Sequence, residues 1–209
     1  GGAPTAARPG APTPRPARTV TRDDLDRARA DAGELATQAR YREAAEILDA
    51  ATADAVATFG GADPDVVNVR LEWANVLFEG GDYRTAAPAY EALIDDLTAR
   101  DGPDTELVFR CRVQYAECHA RLGHTTTALD VAHRLRGDEE RVFGPSDPRP
   151  IELRRRIGLW QLGAGHRDEA RRTLTTLLDD LVGEHGEHHP AVPGVRDLLA
   201  GLPESPPGA

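Results

Sequence analysis

The chain returns to the same residues every 42 positions, and a period of that length leaves few folds open. Ala39-Arg40-Tyr41-Arg42-Glu43-Ala44 is answered by Gly81-Asp82-Tyr83-Arg84-Thr85-Ala86, Gly123-His124-Thr125-Thr126-Thr127-Ala128 and Gly165-His166-Arg167-Asp168-Glu169-Ala170. A second landmark keeps the same step: Phe59-Gly60, Asp101-Gly102, Phe143-Gly144 and His185-Gly186. A third is Asp63-Pro64, Asp147-Pro148 and His189-Pro190, with Thr105-Glu106 in the remaining place. Three landmarks in one register mean stacked copies of a single supersecondary unit, an architecture that commonly binds other chains.

Each period spells two helices. Thr21 with Asp24 reads as a capping box. Asp63 before Pro64, and Asp147 before Pro148, put an N-cap oxygen ahead of a proline in the first turn, where its missing N–H does no harm. Gly81, Gly123 and Gly165 fall where each first helix must end, because glycine accepts the left-handed C-terminal position. The second helices carry an apolar stripe: Ala86, Tyr90, Leu93, Ile94 and Leu97 share one face, and Ala170, Leu174, Leu177, Leu178 and Leu181 repeat those offsets. Ala44, Leu48, Ala51 and Ala55 give a smaller version. The pattern predicts helices over 22–38, 41–57, 65–80, 83–100, 105–122, 125–141, 149–164, 167–182 and 191–201. Pro88, inside the fourth, is expected to kink it or delay its start. Alternating apolar and polar runs joined by Asn-Gly turns do not occur, so the expected class is all-α.

Charge narrows the partners. With 35 acidic against 25 basic residues the net charge is −10, which disfavours nucleic acid and anionic membranes. No apolar run approaches the length of a membrane span, and no signal peptide is visible. Every basic residue is arginine, methionine is absent, and the chain opens Gly1-Gly2, so it reads as a piece of a longer frame or a processed product. The Ala/Arg/Gly/Pro/Asp bias suggests a GC-rich source such as an actinobacterium. Cys111 and Cys118, two turns apart on one expected helix, read as buried free thiols of a cytoplasmic protein. Residues 1–20, with five prolines and no acid, read as an extended tether, and 203–209 as a disordered tail flanking a repeat domain over 21–202.

The set of repeated residues resembles the tetratricopeptide repeat in its longer form of about 42 residues, as in kinesin light chains. The family's small first-helix position falls on Ala32, Ala74, Ala116 and Gly158, and its inter-helix glycine on Ala39, Gly81, Gly123 and Gly165. Its second-helix alanine falls on Ala44, Ala86, Ala128 and Ala170, and the bulky residue four later on Leu48, Tyr90, Ala132 and Leu174. Ala39, Ala132, His119 and Gln161 depart from the pattern. The resemblance implies a right-handed superhelical array of helical hairpins, four repeats plus a closing helix. A Pro-rich tether ahead of helical repeats is also similar in layout to the C-terminal region of actinobacterial serine/threonine protein kinases.

Catalytic and metal motifs are incomplete. His166-Arg167-Asp168 matches the start of a kinase catalytic loop, but Thr173 stands where the metal-binding Asn belongs, and no lysine exists to pair with ATP. His185, His188 and His189, with Glu184 and Glu187, could meet a divalent metal; as an inter-repeat turn they read instead as solvated. The expectation is no enzyme, no cofactor and no metal site. Arg70, Arg112, Arg154 and Arg196 recur on the step, read either as a guanidinium ladder between helices or as a stripe for acidic or phosphorylated partners.

In the family the first helices line the concave side. Mapping that groove gives Asn68, Leu71, Glu72, Asn75, Phe78 and Glu79, then Arg110, Val113, Gln114, Glu117 and Arg121, then Glu152, Arg155, Arg156 and Leu159. Mixed charge with a few large apolar residues suits an extended or helical peptide. Leu71 in the place of a lysine, and Glu152 opposite an anion, argue against the carboxylate clamp of some members. The resulting expectation is a non-catalytic interaction module binding a protein or peptide, the regulatory or scaffolding region of a bacterial kinase. The alternative is a structural array that forms a homodimer or spaces domains, as in a signalling ATPase or transcription regulator.

Overall fold

Equal spacing along the chain becomes equal helices in space. The computed structural model describes residues 20–202. First helices of 16 residues are α1 (Arg22–Thr37), α3 (Pro64–Glu79), α5 (Glu106–Arg121) and α7 (Pro148–Gly163). Second helices of 19 residues are α2 (Tyr41–Phe59), α4 (Tyr83–Asp101), α6 (Thr125–Phe143) and α8 (Arg167–His185), and α9 (Ala191–Ala200) closes the array. Every start among the first eight recurs at the 42-residue step. No strand occurs among the described residues. The tether over 1–19 and the tail over 203–209 lie outside them.

The first helices begin on side-chain caps. Thr21 and Asp24 close a reciprocal capping box, Asp63 accepts from the Asp65 amide at 3.0 Å, Thr105 from Val108 at 3.3 Å and Asp147 from Arg149 at 3.0 Å. His189 stands one period after Asp147, and its Nδ1 accepts from the Ala191 amide at 3.2 Å. The imidazole thus does for α9 what a carboxylate does for α3 and α7.

Each first helix ends in the same two-bond turn: in α3, Asp82 N–H donates to the Leu77 carbonyl and Gly81 N–H to that of Phe78. The residue after the cap is left-handed, with φ of 80°, 78° and 83° at Gly81, Gly123 and Gly165, and 58° at Ala39. The second helices run one to three residues beyond their expected ends. They stop at Gly60, Gly102, Gly144 and Gly186, whose φ near +81° to +91° with extended ψ is a conformation essentially reserved for glycine. That backbone requirement is the origin of the second landmark. Pro88 does not delay α4, which starts at Tyr83 and continues to Asp101. Pro88 and Arg84 both lie on the exposed side, so the carbonyl that loses its partner can be hydrated.

Each helix packs on its neighbours in sequence, and α1 also touches α3, so the array is an α-solenoid. The core lies in successive clusters rather than one centre. The largest runs from Leu25 to Cys118; a second joins Phe109, Ala132, Leu135, Leu153 and Ile157; a third joins Ile151 and the α8 leucines to Val192 and Val195 of α9. At the close-approach position a Cβ on Gly158 would lie 2.8 Å from Cγ and Cδ2 of Leu174 as α8 places it. The arginine ladder forms within hairpins: Arg70–Asp96 at 2.6 Å, Arg112–Asp138 at 2.7 Å and Arg154–Asp180 at 2.6 Å. Arg196 leaves the series and pairs with Glu187 in the turn before its own helix.

Candidate partner-binding groove

Residues spaced three and four apart on α5 and α7 face a common space, because side chains at that spacing share one side of a helix. A groove of about 720 Å³ opens there. It is lined by Phe78 of α3, by Gln114, Glu117 and Arg121 of α5, and by Glu152, Arg155, Arg156, Leu159 and Trp160 of α7. Its polar groups hold one another in place. Glu117 accepts from Trp160 Nε1 at 3.0 Å through one oxygen and from Arg121 Nε at 2.8 Å through the other. Glu152 accepts from Arg155 at 2.8 Å and from Arg156 at 3.1 Å. The Arg155 hydrogen bonds hold the Glu152 carboxyl below the usual carboxylate range. Each guanidinium has five N–H donors, so these three arginines keep spare donors for a ligand.

A second cavity of about 290 Å³ adjoins the first and shares Glu152 and Arg156 with it. Glu106, Phe109, Arg110 and Val113 of α5 form one wall, Arg149 and Leu153 of α7 the other, and Glu139 of α6 joins them. Glu139 is 3% exposed, and its Oε2 has no hydrogen-bond partner. Burial pushes its carboxyl up to about 7, against a smaller opposing effect of Arg149.

The remaining residues expected in the groove sit elsewhere. Glu72 accepts from Arg29 at 2.9 and 2.5 Å, tying α3 to α1, and Asn75 accepts from the Tyr90 hydroxyl at 2.7 Å within its own hairpin. Leu71 packs against the largest core cluster, while Asn68 and Glu79 are exposed on α3 without lining either cavity. Two residues that the sequence reading passed over matter here. Trp160 belongs to the stripe of Arg156 and Leu159, a spacing already visible in the sequence. Glu139 stands one period from Leu97 and Leu181, and two periods from Ala55, so it interrupts a column that is otherwise apolar.

The other chemical groups are accounted for by the fold. Among the described residues no group of three or more His, Cys, Asp or Glu side chains could hold a metal ion. His166 is the N-cap residue of α8, and the rings of His185 and His189 lie 5.0 Å apart in the turn before α9. Cys111 and Cys118 are buried free thiols, pushed up by burial to about 11 and about 12. No helix among the described residues is long and apolar enough to cross a membrane.

No family model matches the chain, and no curated protein does. Solved structures share its fold. Nearly identical TPR-like repeats from a candidate kinesin light chain of Podosopora anserina align with a TM-score of 0.72 at 14% identity, covering 86% of this chain and 85% of that one. A substituted form of the same repeats also gives 0.72 and 14%, covering 86% and 84%. BtubC (BKLC) from P. vanneervenii aligns with a TM-score of 0.66 at 16% identity, covering 85% of this chain and 71% of that one. What is shared at such identities is the TPR-like solenoid.

Proposed function

We propose that this solenoid, as a domain over 21–202, is a non-catalytic protein–protein interaction module that holds an extended or helical partner segment between α5 and α7. The groove carries the reading: about 720 Å³ with Phe78, Leu159 and Trp160 as apolar surface, and an arginine–carboxylate rim with spare donors. Apolar anchors between charge-paired walls fit recognition of a peptide. A groove already wired by its own hydrogen bonds loses little freedom on binding, which favours affinity. In its finer form the proposal places the array in the regulatory or scaffolding region of a cytoplasmic bacterial serine/threonine kinase. The Pro/Arg-rich segment ahead of the repeats supports that form.

Panning a displayed peptide library against the full chain tests the groove. Enriched peptides are expected to bind one per chain, and Leu159→Arg, which puts a charge on the apolar surface, is expected to weaken each at least about tenfold without lowering Tm. Equal affinity for the parent and the variant overturns the proposal. Sedimentation separates self-association, since a concentration-dependent dimer abolished by Leu159→Arg would give the groove to a second copy of the chain.

A further inference from the structure

We propose that the smaller cavity between α5, α6 and α7 is a specificity pocket for one basic side chain of the bound segment, received by Glu139. This rests on the groove reading above and adds the chemistry of the partner. The first observation is positional. Ala55, Leu97, Glu139 and Leu181 occupy equivalent places in the four second helices and are all buried, at 0%, 1%, 3% and 2% exposure. The fold therefore accepts an apolar residue in that column, and only the third repeat spends it on a carboxylate.

The second observation is that the carboxylate is unsatisfied. Its Oε2 is buried without a partner, although a buried acceptor left unpaired is costly, and Glu139 is one of the residues that line the cavity. No nearby cation hydrogen-bonds that oxygen. Arg112 of α5 bonds Asp138, Arg156 of α7 bonds Glu152, and Arg149 of α7 lies 3.9 Å over the Phe143 ring and 3.9 Å from Asp147. Glu106 and Arg110, one turn apart and both exposed, add one charge of each sign to the lining.

An acidic side chain entering here could take a spare donor of Arg156 but would meet Glu139 and Glu152 and leave the buried oxygen bare, as an apolar one would. An ammonium or guanidinium supplies the missing donor, while Phe109, Val113 and Leu153 receive its methylene stem. The cation binds the ionised carboxylate, and burial keeps that carboxyl near 7, so binding releases a proton and tightens as pH rises through neutrality.

The test uses the full chain and short peptides from the groove library, with Lys, Arg, norleucine, Gln or Glu fixed in turn at each position. At about pH 8, one position is expected to favour Lys or Arg over norleucine by about tenfold or more. That preference should vanish in Glu139→Leu, which installs the residue that the second and fourth repeats already carry, and in Glu139→Gln. Lowering the pH to about 6 should weaken the basic peptides in the parent and not in the variants. A preference for acidic or apolar residues at every position, or a basic preference that survives both variants, overturns the inference. Peptides that bind in a Leu159-dependent way without basic preference remove the pocket alone. Peptides that bind without regard to Leu159 remove the groove and the pocket with it.

Discussion

Ala39 is the sole non-glycine residue with positive φ among the described residues, and it sits where the later repeats have glycine. An L side chain in the left-handed region is strained by about 1–2 kcal/mol, and glycine there gives back part of the gain through its freer unfolded state. Ala39→Gly is therefore expected to stabilise the chain by about 0.5–1 kcal/mol in denaturant unfolding; an unchanged or lower midpoint would show that repeat one has relaxed around the alanine. His189 is the converse case, a residue whose role its chemistry conceals. Aspartate before proline announces a cap; imidazole does not, although its Nδ1 makes the same bond. Removing the acceptor with His189→Ala should cost about 0.5–2 kcal/mol, and His189→Asp should restore it, read from amide exchange in α9.

Helix pairs are held by rungs that repeat with the sequence. Arg70, Arg112 and Arg154 each reach an aspartate of the partner helix, and those carboxylates also recur at the period, with Asp54 in the first repeat. There Ala28 takes the arginine's place and the rung is missing. Ala28→Arg is expected to add about 0.2–1 kcal/mol of stability, lost again when Asp54→Ala is combined with it. A gain that persists without Asp54 would rule out the rung. The apolar stripes of α4 and α8 were legible because every member is apolar. The stripe of α6 contains Glu139, and a reading that counts apolar residues passes over the position where the departure itself is the signal.

The whole array divides its core among successive clusters, and Glu139 lies on α6, between the walls that α5 and α7 supply. Its folded-state carboxyl is raised to about 7 from an ordinary value near 4.5, so the fold prefers the protonated form. The stability this residue permits is full below about pH 4.5, declines as pH rises through about 7, and is level above that. Relative to the parent, Glu139→Gln should have a similar Tm near pH 4.5 and a higher one near pH 8, by the equivalent of about 1–2 kcal/mol. A difference independent of pH would mean that Glu139 is ionised throughout.

Period, helix boundaries and solenoid class could all be read from the letters, since caps, left-handed glycines and stripes act within a turn or two of the chain. About half of the mapped groove residues could be placed by the same period, and Phe78, Gln114, Glu117, Arg121, Glu152, Arg155 and Arg156 do line one space. Which polar side chains stay available was settled by packing. Glu72 and Asn75 are taken up by Arg29 and Tyr90, while Trp160 completes Glu117. The bare oxygen of Glu139 arises where three helices meet, and its lack of a partner depends on how the cations around it are paired. Local backbone preferences are properties of neighbouring residues, whereas hydrogen-bond satisfaction belongs to side chains brought together from distant parts of the chain.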